Sequence, residues 1–405
     1  MMLQPNNTPE RPEVIFLGHY ARRTDNGLFV GIEGDDASAY YLDGQTIRIL
    51  ANRKLDGAAF PLVPPELYAC KCDAAYDFRL PGLLRKLMPC DRIITMPEYA
   101  PELLAAWIYT VLLDKPTKPV PVLIGPPGSG KTSTARLLMR LLQGLGADVI
   151  ALPRSAKDLL VVADNQRFLA IDNVDASPPG WFADTVAALA TGAQAQSRRL
   201  WSDKGVITLQ LKCGLILTSM AAPFNRADVA DRSIVIEMAR LDGFVPESQL
   251  FEFVDRVRMH FAGALLHDLN HLIQLERTIR SPREMFRMAD FAGIVRLILG
   301  ECADVALRAL LEAQADLALR DDDVFLALRD ALESRDELLG SAGEILEELK
   351  IWDRSNDTRT ARAFGGYLRR IAAPAEVKGV RISWLLDRHR KSSVYRIELL
   401  GGSQS

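Results

Sequence analysis

Residues 125–132 read Gly-Pro-Pro-Gly-Ser-Gly-Lys-Thr, a complete G-x-x-x-x-G-K-[ST] pattern. No other stretch constrains the fold as tightly, because the pattern works only where a strand feeds a tight loop that opens a helix. The flanks meet that need: Val120 to Ile124 is an apolar run, and 133–142 carries a helical pattern. Glycines in such a loop let backbone N–H groups approach anionic oxygens, and the helix N-terminus that follows favours negative charge. The spacing therefore assigns Gly125, Pro126, Pro127, Gly128, Ser129, Gly130, Lys131 and Thr132 to a phosphate cradle. Lys131 is placed to reach β- and γ-phosphates, and the Thr132 hydroxyl to hold Mg²⁺. The expectation is a nucleoside triphosphate site using ATP and Mg²⁺.

The chain is long enough, at 405 residues, for two to four domains with a real core. With 48% hydrophobic and 25% charged residues, most of it should fold. The N-terminal stretch 1–11 is polar, and no apolar run approaches the ~20 residues of a membrane span. A cytoplasmic protein is expected. Five cysteines form no zinc pattern: Cys70, Cys72 and Cys90 cluster without a second pair, and Cys213 and Cys302 lie among apolar residues. His267 and His271 lie four apart on a helical pattern, but no third ligand accompanies them.

Net charge is −3, but its distribution is uneven. From 353 to 405 there are eleven Lys and Arg against five acids, behind an acidic stretch that includes Asp321 to Asp323. A basic end on a slightly acidic chain points to a localised anionic partner.

The pattern divides the chain into four regions. Residues 1–95 read as an irregular β-rich region, with short strands such as Val14 to Phe16, Leu28 to Val30 and Ala39 to Leu42 between turn residues. Strand and helix candidates then alternate over 96–245, which predicts a mostly parallel, helix-covered sheet. Residues 246–335 are almost purely helical, and 336–405 form a helix-then-strand module.

Further chemistry follows the loop. Phe168 to Asp172 is an apolar strand ending in an acid, 41 residues after Lys131. Asp172 there can hold Mg²⁺, and the next residue, Asn173, can orient a water but cannot take its proton; Asp175 is an alternative. Leu215 to Ser219 is a third strand, ending in two hydroxyls, so Ser219 is a candidate to face the γ-phosphate. Arg232 lies just before a further apolar strand, where it could serve a neighbouring subunit's γ-phosphate; Arg226 is the reserve candidate.

These four stretches together resemble an AAA+ ATPase core. The run from Trp201 to Ser219 is similar to the hairpin and following strand of superfamily 3 helicases. Lys204 matches the hairpin lysine that tracks DNA in the pore there, and Arg199 lies beside it. Gly205 and Met220 depart from that pattern, standing where those helicases carry His and Asn. The span 121–292 also resembles phage and genomic-island ATPases related to primase–helicase C-terminal domains, through Leu152-Pro153-Arg154, Ile171-Asp172-Asn173, Ala190-Thr191-Gly192 and Arg287 to Phe291. In that family Asn after the strand Asp is usual, and Arg287 would lie on a helical lid near the nucleotide.

The resemblance implies an α/β fold: an AAA+ P-loop NTPase core with a helical lid, a β-rich N-terminal region and a C-terminal winged helix. Helices at 341–349 and 358–371 and a hairpin from Val380 to Glu398 fit that last module. Arg362 and Arg369 on the second helix, with Arg388, Arg390 and Lys391 at the hairpin tip, are its DNA-binding candidates. The expected function is an ATP-dependent DNA helicase or translocase, a homo-oligomeric hexamer replicating a mobile element or phage. It would hold single-stranded DNA in its pore and duplex at the winged helix, with a replication partner at the N-terminal region. The alternative is an ATP-dependent DNA-binding initiator or regulator without processive unwinding.

Overall fold

A computed structural model describes residues 21–24, 26–32, 35–51, 78–144, 146–174, 178–198, 206–224, 226–278, 286–335, 337–349, 360–387 and 392–400. The Val14 to Phe16 strand candidate, Cys70, Cys72, Asp175, Arg199, Lys204, Arg388, Arg390 and Lys391 lie outside those residues.

The described chain opens with strands β1 (Ala21–Arg23), β2 (Leu28–Ile32), β3 (Asp35–Leu42) and β4 (Ile47–Ala51), an antiparallel meander in chain order. Helix α1 (Arg79–Leu87) and α2 (Ala100–Leu112) follow. Nearly every residue of α2 is buried, so this helix lies inside the molecule, with Trp107 edge-on to Phe168 at 5.4 Å.

The centre is a five-stranded parallel sheet. Its strands are β5 (Val120–Ile124), β6 (Ile150–Ala151), β7 (Phe168–Val174), β10 (Gly214–Ser219) and β11 (Ser233–Glu237), in spatial order β11-β5-β10-β7-β6. Val-Pro-Val-Leu-Ile and Gly-Leu-Ile-Leu-Thr-Ser are buried at every position, as strands covered on both faces must be. Helices α3 (Lys131–Gln143), α4 (Ala156–Asp164), α5 (Gly180–Ala190) and the short α6 (Ala227–Ala230) connect them. A two-stranded antiparallel hairpin, β8 (Gln194–Arg198) with β9 (Val206–Gln210), projects between α5 and β10, pairing Arg198 with Val206. Because the sheet is parallel, the loop after β5, the end of β7 and the end of β10 meet at one edge, where ligands of open α/β sheets bind.

The all-helical stretch comprises α7 (Glu247–Thr278), α8 (Ala289–Leu299), α9 (Ala303–Leu319) and α10 (Asp323–Glu333). Asp268 of α7 is fully buried and accepts the backbone N–H groups of Arg79 and Leu80 at 3.0 and 2.8 Å and the Tyr109 hydroxyl at 2.6 Å. One carboxylate thereby satisfies two amides that have no partner within α1 and joins three helices. The meander sits on the same helix: Arg277 donates to the carbonyls of Asp43 and Asn26, and Asn270 accepts the Gly44 N–H.

The C-terminal module contains β12 (Glu337–Ser341), α11 (Ala342–Leu349), α12 (Ala361–Val377), β13 (Val380–Asp387) and β14 (Ser392–Leu399), with sheet order β12-β14-β13. Helix α12 begins at 361 rather than the expected 358, because the Thr360 hydroxyl accepts the Ala363 N–H at 3.1 Å and caps it there. It also runs on past Pro374 to Val377. Lys378 pairs with Asp316 of α9 at 2.5 Å, and the Tyr367 hydroxyl donates to Asp322, the residue that caps α10. Among the described residues no helix is long and apolar enough to cross a membrane.

Candidate functional site

The loop at 125–132 turns between β5 and α3 over the C-terminal edge of the sheet. A Cβ at Gly125 would meet the Met238 carbonyl oxygen at 2.2 Å, so only glycine fits where the loop leaves the strand. Gly130 takes φ +83° and hands the chain to the first turn of α3, a conformation glycine adopts without cost. The Lys131 ammonium is largely buried and folded back on the loop. It donates to the carbonyls of Gly125 and Pro126 at 2.6 and 2.9 Å and to the Ser129 hydroxyl at 3.1 Å. Burial pushes its pKa down, and the Asp172 carboxylate opposes that shift.

Asp172 Oδ1 gathers two hydroxyls. Thr132 donates at 2.8 Å from the loop, and Thr218 at 2.5 Å from β10. Thr218 in turn accepts the Asn173 N–H at 2.9 Å. Asn173 sits at φ +54°, where the pairing of β7 with β10 slips between Leu217 and Ser219. Such a bulge re-aims a side chain, and here Asn173 is exposed and lines the cavity above the loop.

The same irregularity separates the two strand-end hydroxyls. Ser219 is buried and donates to the Val174 carbonyl at 2.7 Å, whereas Thr218 faces Asp172. The hydroxyl next to the candidate metal ligand is thus Thr218, a residue that strand reading alone treats as equivalent to Ser219. Thr132 and Asp172 bring hard oxygen donors together, the type that Mg²⁺ takes. Among the described residues there is no group of three or more His, Cys, Asp or Glu that could hold a metal by themselves.

A cavity of about 570 Å³ opens over this constellation. Its polar end is the loop and the first turn of α3, with Asn173 and Thr218. An apolar part of its lining, beside the loop, was not read from the sequence: Leu87 to Pro89 at the end of α1, and Leu241, Phe244 and Val245 after β11. These two segments run side by side, with Ile93 bridged to Met238, the Leu241 N–H bonded to the Gly128 carbonyl, and Arg92 paired with Asp242. One signal could have exposed this lining: Phe244 and Val245 stand in a Gly- and Pro-flanked stretch where an aromatic has no helix or strand face to fill.

The candidate arginines stand elsewhere. Arg232 is mostly covered, donating to the Asp228 carbonyl, and its Nε is buried without a partner. Arg226 is held by Asp184 and Asp228 at 2.6 and 2.8 Å. Arg287 pairs with Asp231 at 3.4 Å and does not line the cavity of its own chain. Burial, together with the Arg287 charge, lowers the Arg232 pKa, and burial raises that of Asp231. Three guanidinium groups therefore crowd one acidic corner at the start of β11.

In the C-terminal module Arg362 is exposed near the start of α12. Arg369 donates to the Ser393 hydroxyl at 2.7 Å, and its guanidinium lies 5.7 and 5.8 Å from the ring centres of Trp384 and Tyr395. Arg381 pairs with Glu376 and Glu398, and Arg396 with Glu337. Part of the basic excess is thus balanced inside the module.

Comparison with known families gives a match over residues 91–323 to Actinomycete integrative conjugative element replication protein. Among solved structures, the C-terminal region of NrS-1 is similar at 12% identity, over 89% of this chain and 93% of that one, with a TM-score of 0.35. The JCV helicase is similar at 16% identity, over 64% of this chain and 66% of that one, with a TM-score of 0.28. No curated protein matches.

Proposed function

The chain belongs to the family of actinomycete integrative conjugative element replication proteins, and from that premise we propose that it is an ATP-driven DNA helicase or translocase of a mobile element. The observation that carries the ATPase part is the convergence of Thr132 and Thr218 on Asp172 beside a loop that closes around Lys131. ATP occupies the cavity with its phosphates on 125–132. On binding, the Lys131 ammonium exchanges its loop carbonyls for β- and γ-phosphate oxygens. Thr132 and Asp172 would hold Mg²⁺, which would supply positive charge beside the phosphoryl oxygens. Asn173 and Thr218 orient the attacking water by hydrogen bonds. Ser219 supports the strand end behind them.

The arginine corner serves a neighbouring subunit. In a ring, Arg232, with Arg226 and Arg287 around it, reaches the next molecule's γ-phosphate and stabilises transition-state charge. The hairpin of β8 and β9 carries Arg199 and Lys204 between its paired ends, and in this reading those cations meet a DNA strand in the pore. Helices α7 to α10 form the lid, and 336–405 is a winged helix for duplex, contacting it through Arg362, Arg369 and the basic run 388–391.

Strand displacement on forked DNA, run beside nucleotide-dependent size measurement, tests the proposal. The expected outcome is ATP-dependent unwinding by an oligomer, abolished in Lys131→Ala and Asp172→Asn. ATP turnover that survives in either variant would overturn the site assignment. Turnover and DNA binding without unwinding on any fork would favour an initiator or regulator.

A further inference from the structure

Helix α12 and the β13–β14 hairpin frame a slot in the C-terminal module; this step rests on the DNA-binding role proposed for that module and narrows which DNA it takes. A Cβ at Gly365 would lie 2.8 Å from the Tyr395 hydroxyl oxygen, so glycine lets helix and hairpin approach closely there. At Gly366 a Cβ would meet no atom within 4 Å, so the helix surface beside that contact is bare. Arg362 and Arg369 flank the bare stretch, two helical turns apart and hence on one face of α12. Opposite them the hairpin runs out of its core: Ile382 is 6% exposed, Trp384 41% and Leu386 69%. These alternate positions share one face of β13. That face lies against α12, since Trp384 pairs with Tyr395, whose hydroxyl donates to the Gly365 carbonyl at 3.2 Å.

Charge on this side of the module is uncompensated. Lys378 is paired with Asp316, Arg381 with Glu376 and Glu398, and Arg396 with Glu337. Among the described residues no carboxylate pairs with Arg362 or Arg369. Arg369 is anchored instead by the Ser393 hydroxyl and by the Trp384 and Tyr395 rings, and Trp384 stays open beside it. A guanidinium held in this way is pre-set for a phosphate. Two such cations beside an exposed indole and an exposed leucine suit a ligand with both anionic oxygens and apolar faces. Continuous duplex offers the first and hides the second, because its base faces are stacked and its edges are polar apart from thymine methyl groups. DNA with an unpaired base offers both.

We propose that the slot takes DNA where a duplex opens, with Arg362 and Arg369 on backbone phosphates and Trp384, beside Leu386, stacked on the first unpaired base. The cations grip either form of the strand, and the indole sets the preference for a fork over continuous duplex.

The test uses the full-length protein without nucleotide, in the Arg199→Ala/Lys204→Ala background so that the proposed pore cations do not dominate the reading. Anisotropy of a fluorescent fork is followed over a range of salt, beside a blunt duplex of the same length. Trp384→Ala should weaken fork binding about tenfold and duplex binding by less than about twofold, and Trp384→Phe should recover the fork. Arg369→Gln should weaken both and flatten the salt dependence. An iodinated deoxyuridine at the first unpaired position should photocrosslink to the peptide that carries Trp384. Three results overturn this step alone: Trp384→Ala harmless while Arg369→Gln weakens binding, an equal loss on fork and duplex in Trp384→Ala, or a crosslink confined to other peptides. DNA affinity unmoved by both variants sinks the module's DNA role beneath it and leaves this face to a protein partner.

Discussion

Thr218 and Ser219 are adjacent, both hydroxylic and both buried, yet the fold gives them different work. Leu217 pairs with Ile171, so Thr218 shares a face with Asp172, and the slip at Asn173 turns Ser219 back onto the Val174 carbonyl. Removing each hydroxyl should therefore have separable effects. Thr218→Ala frees the Asp172 oxygen and the Asn173 amide, which the proposed function puts beside the γ-phosphate. It should lower kcat roughly tenfold to hundredfold, with little change in unfolding free energy. Ser219→Ala loses one buried hydrogen bond and should cost about 1 kcal/mol in urea unfolding while keeping most of the turnover. The reverse pattern would assign the γ-phosphate role to Ser219. The loop itself was legible in the sequence because its eight residues carry their whole meaning locally. The division of labour between two hydroxyls was not, since it depends on a one-residue bulge in a partner strand.

Elements with strong local signals were readable, and long-range pairings were not. The helical pattern after 246, the apolar run at 120–124 and the alternation in 380–398 correspond to α7 to α10, β5 and the β13–β14 hairpin. The stretch after α1 carried no comparable mark. It reads as the end of an N-terminal region, yet Met88 and Pro89 line the cavity because Ile93 bridges Met238, some 145 residues later. The anchor behind this arrangement is α7, through Asp268 at the start of α1. His267 is its neighbour on α7. Burial, with the Arg79 and His271 charges, pushes its imidazole down to about 4. The folded value lies below the unfolded one of about 6.5, so the unfolded chain binds the extra proton. Stability from this group is complete above about pH 6.5 and falls as the pH drops toward 4. Since the ring is only half-buried, solvent screening reduces the effect to about 1 kcal/mol. Urea unfolding at pH 7.5 and pH 5.0 should therefore show His267→Gln losing about 1 kcal/mol less than wild type across that interval. Equal losses would show that the ring titrates as if exposed.

At the scale of the whole molecule, the open matter is what nucleotide turnover moves. The hairpin is a sheet of its own, joined to the central one through the chain: β10 carries Thr218 at its far end and begins four residues after β9 ends. The stem is pinned at that junction, where Asp114 holds Lys212 at 2.6 Å and the buried Arg167 at 3.2 Å. If β10 shifts on hydrolysis, the paired strands β8 and β9 that lead into it are the route by which the shift would reach the hairpin. Lys204 lies between those strands in the sequence, a point charge suited to a phosphate and sensitive to salt. If the hairpin grips DNA, Lys204→Ala should keep basal ATPase and assembly but lose DNA-stimulated ATPase and strand separation. Arg199 could mask a partial loss, so Arg199→Ala/Lys204→Ala should deepen it. The stem gives an independent check: Asp114→Asn leaves the tip cations intact but loosens their mounting, and should weaken the coupling of DNA binding to turnover more than DNA affinity itself. Unwinding that survives both tip changes would remove the hairpin from translocation. Unwinding lost at the tip with DNA stimulation retained would make the hairpin a strand separator rather than the element that pulls.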